Sequence, residues 1–187
     1  MNPHARERRL SPKSSDQFFR TPPEATQALL AKEMFTPVVL EPACGDGAMS
    51  RVLEAAGHEV HSSDLVDRGY GLGGIDFLAM RRDQIAPAPF SVVTNPPFKL
   101  LGEFAEHALA LGARKVALFG RVAALEGKKR HATLYKPGHL SRVWVFTSRV
   151  TLWAGDLEQP EEIKGGAMAF AWFVFEPGHP GTTLGWI

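Results

Sequence analysis

Four consecutive residues, Asn95, Pro96, Pro97 and Phe98, could make a flat amino group nucleophilic. The nitrogen of a conjugated amino group, such as that of adenine, attacks poorly because its lone pair is delocalised into the ring. The side-chain oxygen of Asn95 and the backbone carbonyl of Pro96 could accept its two hydrogens and draw the nitrogen towards tetrahedral geometry. The prolines fix φ and lack N–H groups, which aims the carbonyls, and Phe98 offers a face for stacking. Asn-Pro-Pro can also be only a loop that ends a strand.

A second group of residues, upstream of this box, has the pattern of a ligand-binding turn. The segment from Val38 to Gly47 reads as a buried strand and a tight turn, followed by an amphipathic helix. Gly45 and Gly47 would let a ligand approach the backbone at the helix N-terminus, as in dinucleotide-binding folds. The acid Glu41 would repel a pyrophosphate but suits a cationic ligand, and no lysine follows to form a phosphate loop.

These two groups require a scaffold whose strands end side by side. Apolar runs predict strands at about 38–43, 58–63, 90–94, 116–119, 143–153 and 168–176. Amphipathic patterns predict helices at about 24–34, 47–56 and 100–112. A basic amphipathic stretch covers 122–135, and an acidic linker, 154–166, joins the last two strands. Strands that alternate with helices predict an α/β fold with a mostly parallel sheet, which the last two strands extend as an antiparallel hairpin.

Length and composition agree with one domain. The chain has 187 residues, of which 44% are hydrophobic, and can bury a core without disulfides or metal. Residues 1–15 are polar and basic and should form a flexible arm, with 16–187 as a single domain. The seven histidines show no metal-ligand spacing, so we expect no metal. No apolar stretch of membrane-spanning length and no signal peptide is evident, so we expect a cytoplasmic protein that does not bind membranes.

Positive charge is concentrated in one segment. The net charge is +1, but residues 114–149 carry nine Lys and Arg against one acid, whereas 21–113 carry six against twelve. A basic segment after the Asn95 box would suit a polyanion, because phosphate contacts supply most non-specific affinity for nucleic acid. A solvated helix face is the alternative interpretation. The residues expected to contact nucleic acid are Arg121, Lys128, Lys129, Arg130, His131 and Lys136.

Three motifs, in this order, resemble those of class I S-adenosylmethionine-dependent methyltransferases. Within that class they resemble the small phage-type adenine-N6 DNA methyltransferases of the gamma order. The motifs are Phe19-Arg20-Thr21-Pro22-Pro23-Glu24, Glu41-Pro42-Ala43-Cys44-Gly45 and Asn95-Pro96-Pro97-Phe98. The resemblance spans nearly the whole chain and implies a Rossmann-like seven-stranded sheet with helices on both faces. Two features depart from the family: Phe98 replaces the commoner Tyr, and we expect no separate target-recognition domain.

The resemblance implies that S-adenosylmethionine is the cofactor. Asp64, which ends the second strand, would accept hydrogen bonds from the ribose hydroxyls, as an acid at this position does in related folds. Asp76 would bind the cofactor's adenine amino group, with Phe77 beside the ring, although Asp67 and Asp83 are local competitors. The N-terminal motif would line the methionine end. The complete expected set is Phe19, Thr21, Pro22, Glu41, Pro42, Ala43, Cys44, Gly45, Gly47, Asp64, Leu65, Asp76, Phe77 and Asn95.

The implied reaction is direct in-line methyl transfer to N6 of adenine in DNA, with the base extruded from the duplex onto Phe98. Cys44 lies in the glycine turn, which argues against cytosine C5 methylation, because that reaction needs a cysteine beside the target base. Three alternatives stay open: an RNA base methyltransferase, a protein glutamine-amide methyltransferase, and a non-catalytic binding module on the same fold. We expect little or very short sequence preference. The oligomeric state is not predicted.

Overall fold

The computed structural model describes residues 18–85, 89–135, 138–154 and 168–187. The expected basic arm, Lys136 and the expected linker beyond Ala154 lie outside these ranges. In the described part of the chain, no helix is long and apolar enough to cross a membrane.

The described residues form nine strands. They are β1 (Phe19–Arg20), β2 (Val38–Glu41), β3 (Glu59–Ser62), β4 (Phe90–Thr94), β5 (Val116–Arg121), β6 (Leu140–Val145), β7 (Trp153–Ala154), β8 (Phe170–Phe175) and β9 (Thr183–Trp186). Strands β1 and β7 pair with each other, and the other seven form one sheet in the order β3-β2-β4-β5-β8-β6-β9. Only β8 pairs antiparallel within this sheet, with β5 and β6. This confirms the mostly parallel seven-stranded sheet and its antiparallel C-terminal hairpin.

Helices cover both faces of the sheet, as predicted. They are α1 (Pro23–Leu30), α2 (Ala48–Ala55) and α3 (Leu101–Ala110). Leu29 of α1 and Leu53 of α2 belong to the core on one face, whereas Phe104 of α3 belongs to the core on the other face. Because both faces are covered, the central strands β2 and β4 are buried along their whole length.

The order of the strands creates a crevice at one edge of the sheet. From β2 the chain passes to β3 on one side, and it then returns to β4 on the other side of β2. Ligands of open α/β sheets bind outside the carboxyl ends of the strands at such a switch point. Glu41 ends β2 and Thr94 ends β4, so both sequence motifs begin at this crevice.

The C-terminal strands differ from the prediction in two respects. The expected strand at 143–153 is wrong for residues 146–152, which lie between the end of β6 and the start of β7. Residues 147–149 are exposed there, and the backbone N–H of Thr147 bonds the carbonyl of Ile187. Strand β9 was not predicted, because it lies at the edge of the sheet. Its Leu184 and Trp186 are 53% and 61% exposed, so it carries no pattern of buried residues.

Candidate active site

The turn after β2 depends on its two glycines. Gly45 and Gly47 have φ values of +57° and +80°, in the left-handed region that favours glycine. Steric crowding is a second reason why both positions need glycine. A Cβ atom on Gly45 would lie 2.1 Å from the ring of Phe18, and one on Gly47 would lie 2.5 Å from the ring of Tyr70. Both positions therefore require glycine if the turn is to keep this shape.

Asp64 connects this turn to the chain that follows β3. One carboxylate oxygen accepts a hydrogen bond from the backbone N–H of Gly45 at 2.8 Å, and the other accepts one from Val66 at 2.9 Å. A carboxylate oxygen can accept more than one hydrogen bond. Asp64 can thus hold the turn and still bind hydroxyl groups in the cavity that it lines.

A cavity that opens to solvent lies at the carboxyl ends of β2 and β4. It brings together eleven of the fourteen expected cofactor residues: Phe19, Thr21, Glu41, Pro42, Ala43, Cys44, Asp64, Leu65, Asp76, Phe77 and Asn95. Gly45 and Gly47 shape the turn beside it without lining it. Pro22 lines a different groove, next to Phe146 and Ile187, so the structure separates it from the expected cofactor set.

Glu41 is a buried acid at the floor of the crevice. It accepts a hydrogen bond from the hydroxyl of Ser50, which lies 2.6 Å from the hydroxyl of Ser62. Burial raises the pKa of Glu41 well above its ordinary value, and the nearby carboxylates of Asp64 and Asp46 raise it further. None of the main influences on this pKa comes from a positive charge. The site therefore suits a ligand that brings a positive charge.

Cys44 has the properties of a structural thiol. Its sulfur lies 3.5 Å from the carbonyl oxygen of Tyr70. Burial, followed by the carboxylates of Glu41 and Asp64, raises the pKa of Cys44 to about 12. Such a thiol stays protonated at neutral pH and is a poor nucleophile. Within the described residues, no group of three or more His, Cys, Asp or Glu could hold a metal ion.

The segment around β1 contributes contacts that the sequence did not reveal. The ring of Phe18 packs on Gly45, and the guanidinium of Arg68 lies 4.7 Å from the centre of that ring. The Nε of Arg20 lies 2.5 Å from a carboxylate oxygen of Asp46. Each contact joins residues far apart in the chain, so no local sequence pattern indicated it.

Asn95 has a fixed orientation. Its side-chain nitrogen donates to the carbonyl oxygen of Phe19 at 3.2 Å and to the hydroxyl of Thr21 at 3.0 Å. A carbonyl oxygen can only accept, so the nitrogen of the amide must be the atom that faces Phe19. The side-chain oxygen, Oδ1, consequently points away from both residues.

A second, smaller cavity adjoins the first. It is lined by Phe19, Asn95, Pro96, Pro97 and Phe98, and so contains all four expected catalytic residues. Phe19, Asn95 and Pro97 line the larger cavity as well. The two cavities therefore share a wall, and Asn95 is part of it.

Phe98 is more enclosed than expected. Its ring stacks on that of Phe19, with 5.8 Å between centroids and 15° between planes, and contacts Phe170 at 5.7 Å. The guanidinium carbon of Arg121 lies 4.7 Å from the centre of the Phe98 ring. Other side chains already pack on this ring, and its role as a stacking surface for the target base stays a prediction.

The basic segment forms short helical turns after β5, at Val122–Leu125, Lys128–Arg130 and His131–Tyr135. Lys128, Lys129 and His131 are exposed, as contact with phosphate would require. Lys129 also lies 3.8 Å from Glu103, but both side chains are largely exposed, so solvent weakens this ion pair.

Two arginines of the expected nucleic-acid set have other partners. The guanidinium of Arg130 donates to the carbonyl oxygens of Ala124, at 2.8 Å, and Glu126, and so holds the local turn. Arg121 lies against Phe98 rather than in solvent. These contacts form because a guanidinium readily binds carbonyl oxygens and aromatic faces, and the contact of Arg121 and Arg130 with nucleic acid stays a prediction.

Solved structures of other proteins share this fold. One is a "putative RNA methyltransferase" from Pyrococcus horikoshii, with 15% identity over 89% of this chain and 90% of that chain, and a TM-score of 0.59. Another is the modification subunit of a "putative type I restriction enzyme" from Vibrio vulnificus, with 14% identity over 90% of this chain and a TM-score of 0.55. This chain covers 47% of that subunit, about half its length.

A third, a "putative hemolysin" from Lactococcus lactis, has 13% identity over 86% of this chain and 88% of that chain, with a TM-score of 0.59. At these identities the likeness is one of fold, and the three names differ in the activity they describe. No protein-family model and no curated protein matches the sequence. The chain therefore has a Rossmann-like fold that methyltransferase structures share.

Proposed function

We propose that this protein transfers a methyl group from S-adenosylmethionine to the N6 amino group of adenine in DNA. The observation that carries the proposal is the wall shared by the two cavities. Asn95 lies between a large cavity with acidic and apolar residues and a small one with Pro96, Pro97 and Phe98. The larger cavity would hold the methyl donor and the smaller one the flat amine, with the Asn95 amide between them.

The larger cavity fits the chemical groups of the cofactor. The buried carboxyl of Glu41 lines this cavity and would suit the ammonium of the methionine part. Asp64 lines the wall as a hydrogen-bond acceptor for ribose hydroxyls. Asp76 and the buried Phe77 offer a carboxylate and an aromatic ring for an adenine. The remaining wall, from Phe18 to Thr21, belongs to the segment around β1.

The catalytic residues then need only to position the amine. Bound in the larger cavity, S-adenosylmethionine supplies a methyl group on a positively charged sulfur. Because Phe19 and Thr21 hold the nitrogen of the Asn95 amide, its oxygen is directed to accept one hydrogen of the amino group. The carbonyl of Pro96 would accept the other. These two acceptors would hold the amino nitrogen with its lone pair directed towards the larger cavity, and its surplus proton would leave to solvent once it is methylated.

Charge favours a nucleic acid as the carrier of the target amine. The exposed Lys128 and Lys129 follow β5, whose carboxyl end lies at the same edge of the sheet as Asn95. Phosphate contacts from such side chains bind DNA without reading its sequence. An adenine in a duplex must leave the base stack to reach Asn95, and the aromatic wall of the smaller cavity would receive it.

Transfer of a radioactive methyl group tests the proposal. The protein is incubated with methyl-labelled S-adenosylmethionine and, separately, with duplex DNA, RNA and a protein extract. We expect label in DNA, with N6-methyladenine as the labelled product in hydrolysed nucleosides, and none with Asn95→Ala. Label confined to RNA or to protein would replace DNA by that substrate, and no transfer to any of the three would refute the activity.

A further inference from the structure

Arg121 is the last residue of β5 and lies where two parts of the proposed site meet. Strand β5 is parallel to β4, so Arg121 leaves the sheet at the edge from which Asn95 also leaves. The basic segment begins immediately after it, at Val122. Its guanidinium carbon is 4.7 Å from the centre of the Phe98 ring, which is in the range of a stacked cation. Arg121 thus connects the smaller cavity to the basic segment.

The Nε atom of Arg121 is buried and has no hydrogen-bond partner among the residues that the structure describes. A buried N–H of a charged group without a partner is unfavourable, because its interaction with water has been lost and not replaced. Most groups of this kind in native proteins have a partner, so the exception indicates one that is supplied by a ligand. In a DNA-binding site, a phosphate oxygen of the DNA would be the acceptor.

A guanidinium can stack on an aromatic ring and can also bind a phosphate. It is flat and stacks on an aromatic ring much as a base does, and its paired N–H groups match the oxygens of a phosphate. In the free protein Arg121 lies on Phe98, the ring on which an extruded base would stack. A base that enters the smaller cavity and Arg121 therefore compete for the same aromatic surface.

Resting on the function proposed above, we propose that Arg121 covers Phe98 in the free protein and moves to the phosphate of the target nucleotide when its base is extruded. The Arg121 side chain would pack on the Phe98 ring until the target base takes its place there. It would then bind the backbone of that same nucleotide and keep the base in place. Arg121 is in this sense a positioning residue for the target nucleotide, distinct from the exposed lysines that bind any phosphate.

Salt dependence of DNA binding tests the proposal. Binding of two duplexes is measured by fluorescence anisotropy between 50 and 200 mM salt, with saturating demethylated cofactor. One duplex contains only G·C pairs, and the other has a single adenine mismatched with cytosine in the same sequence. The variants are Arg121→Met and Arg121→Gln, which lose the charge, and Arg121→Lys, which keeps it. The matched control is Arg114→Met. Arg114 is exposed and lies just before the start of β5, at the other end of the strand from Arg121.

We expect the neutral Arg121 variants to lower the slope of log affinity against log salt by about 0.9, the value of one phosphate contact. This loss should occur with the mismatched adenine and not with the G·C duplex. Arg121→Lys should restore the slope, and Arg114→Met should match the wild-type protein on both duplexes. Melting curves identify any variant that does not fold. If one neutral variant fails to fold, the salt slope of the other neutral variant tests the proposal.

Equal slopes for the wild-type and neutral variants on the adenine duplex would overturn the assignment of Arg121. An equal loss on both duplexes would overturn it too, because Arg121 would then be an ordinary phosphate contact. Either result leaves the proposed methyl transfer intact. A wild-type protein that binds neither duplex would refute DNA as the substrate, and the role of Arg121 with it.

Discussion

The side-chain nitrogen of Asn95 donates to the hydroxyl of Thr21 at 3.0 Å, a hydrogen bond between residues 74 positions apart. Thr21 precedes α1 and Asn95 follows β4, so the bond joins the N-terminal motif to the Asn-Pro-Pro box. Its effect is to fix the orientation of the Asn95 amide. The orientation of the proposed catalytic oxygen therefore depends on the N-terminal segment.

Thr21→Val should lower the turnover number by about fivefold, since a hydrogen bond of this type contributes about 1 kcal/mol. Valine keeps the branched shape but cannot accept from Asn95, which leaves the carbonyl of Phe19 as the remaining acceptor. Thr21→Ser, which retains the hydroxyl, is the control and should stay close to the wild-type rate. Steady-state kinetics with saturating cofactor provide the measurement. A valine variant with wild-type turnover would show that this bond does not position the amide.

Asp64→Ala should remove most of the rise in melting temperature that S-adenosylmethionine produces. A ligand that binds only the folded state at 100 times its Kd stabilises it by about 2.7 kcal/mol. Asp64 lines the larger cavity and also holds the N–H of Gly45, so its loss weakens both the wall and the turn. Asp83→Ala, which changes an aspartate that is 70% exposed, is the control. If the cofactor stabilises the Asp64 variant fully, this carboxylate does not bind it.

Glu41 should make the ligand-free protein less stable as the pH rises. Its pKa is raised in the folded state, so its contribution to stability is complete below the unfolded pKa of about 4.3 and is lost as the pH rises towards the folded pKa. Glu41→Gln can still accept from Ser50 but cannot ionise. We expect the melting temperature of the wild-type protein to fall increasingly below that of the variant from pH 4.5 to 8. A constant difference over this range would contradict a raised pKa.

Replacing Lys128 and Lys129 together by alanine should weaken binding to all DNA sequences alike and reduce the salt slope. Both are exposed, whereas Arg130 holds the local turn and is therefore left in place. The control replaces two exposed cations outside the segment, Lys32 and Arg81, by alanine. Affinities for several unrelated duplexes over a range of salt concentrations give the answer. A loss confined to one sequence would mean that the lysines read bases rather than phosphates.

Sequence alone was sufficient where the signals were local. The glycine turn and the Asn-Pro-Pro box each lie directly after a buried strand, and an apolar run followed by a turn is visible without any knowledge of the fold. Because parallel strands end at one edge of a sheet, the meeting of Glu41, Asp64 and Asn95 at one cavity could also be foreseen. The structure adds the distances and the hydrogen bonds.

Features that depend on long-range contacts could not be foreseen. Nothing near Phe98 in the sequence indicates that Phe19 and Arg121 will pack on its ring. The exposed edge strand β9 carries no burial pattern, and its pairing with β6 becomes visible only in the sheet. Arg130 was assigned to phosphate by its charge, yet backbone carbonyls of its own segment bind it. In each case the contact depends on the folded backbone and is not visible in the local sequence.

The rate at which Asn95→Ala forms N6-methyladenine in DNA, measured in a single turnover with saturating cofactor, tests the central claim most directly. Asn95 lies in the wall between the two cavities, and its oxygen is the proposed acceptor for the target amine. The variant should bind cofactor with nearly wild-type affinity but react at least about a hundredfold more slowly, the usual loss for a group that acts in the transition state. Wild-type rates of N6-methyladenine formation in the variant would contradict the account.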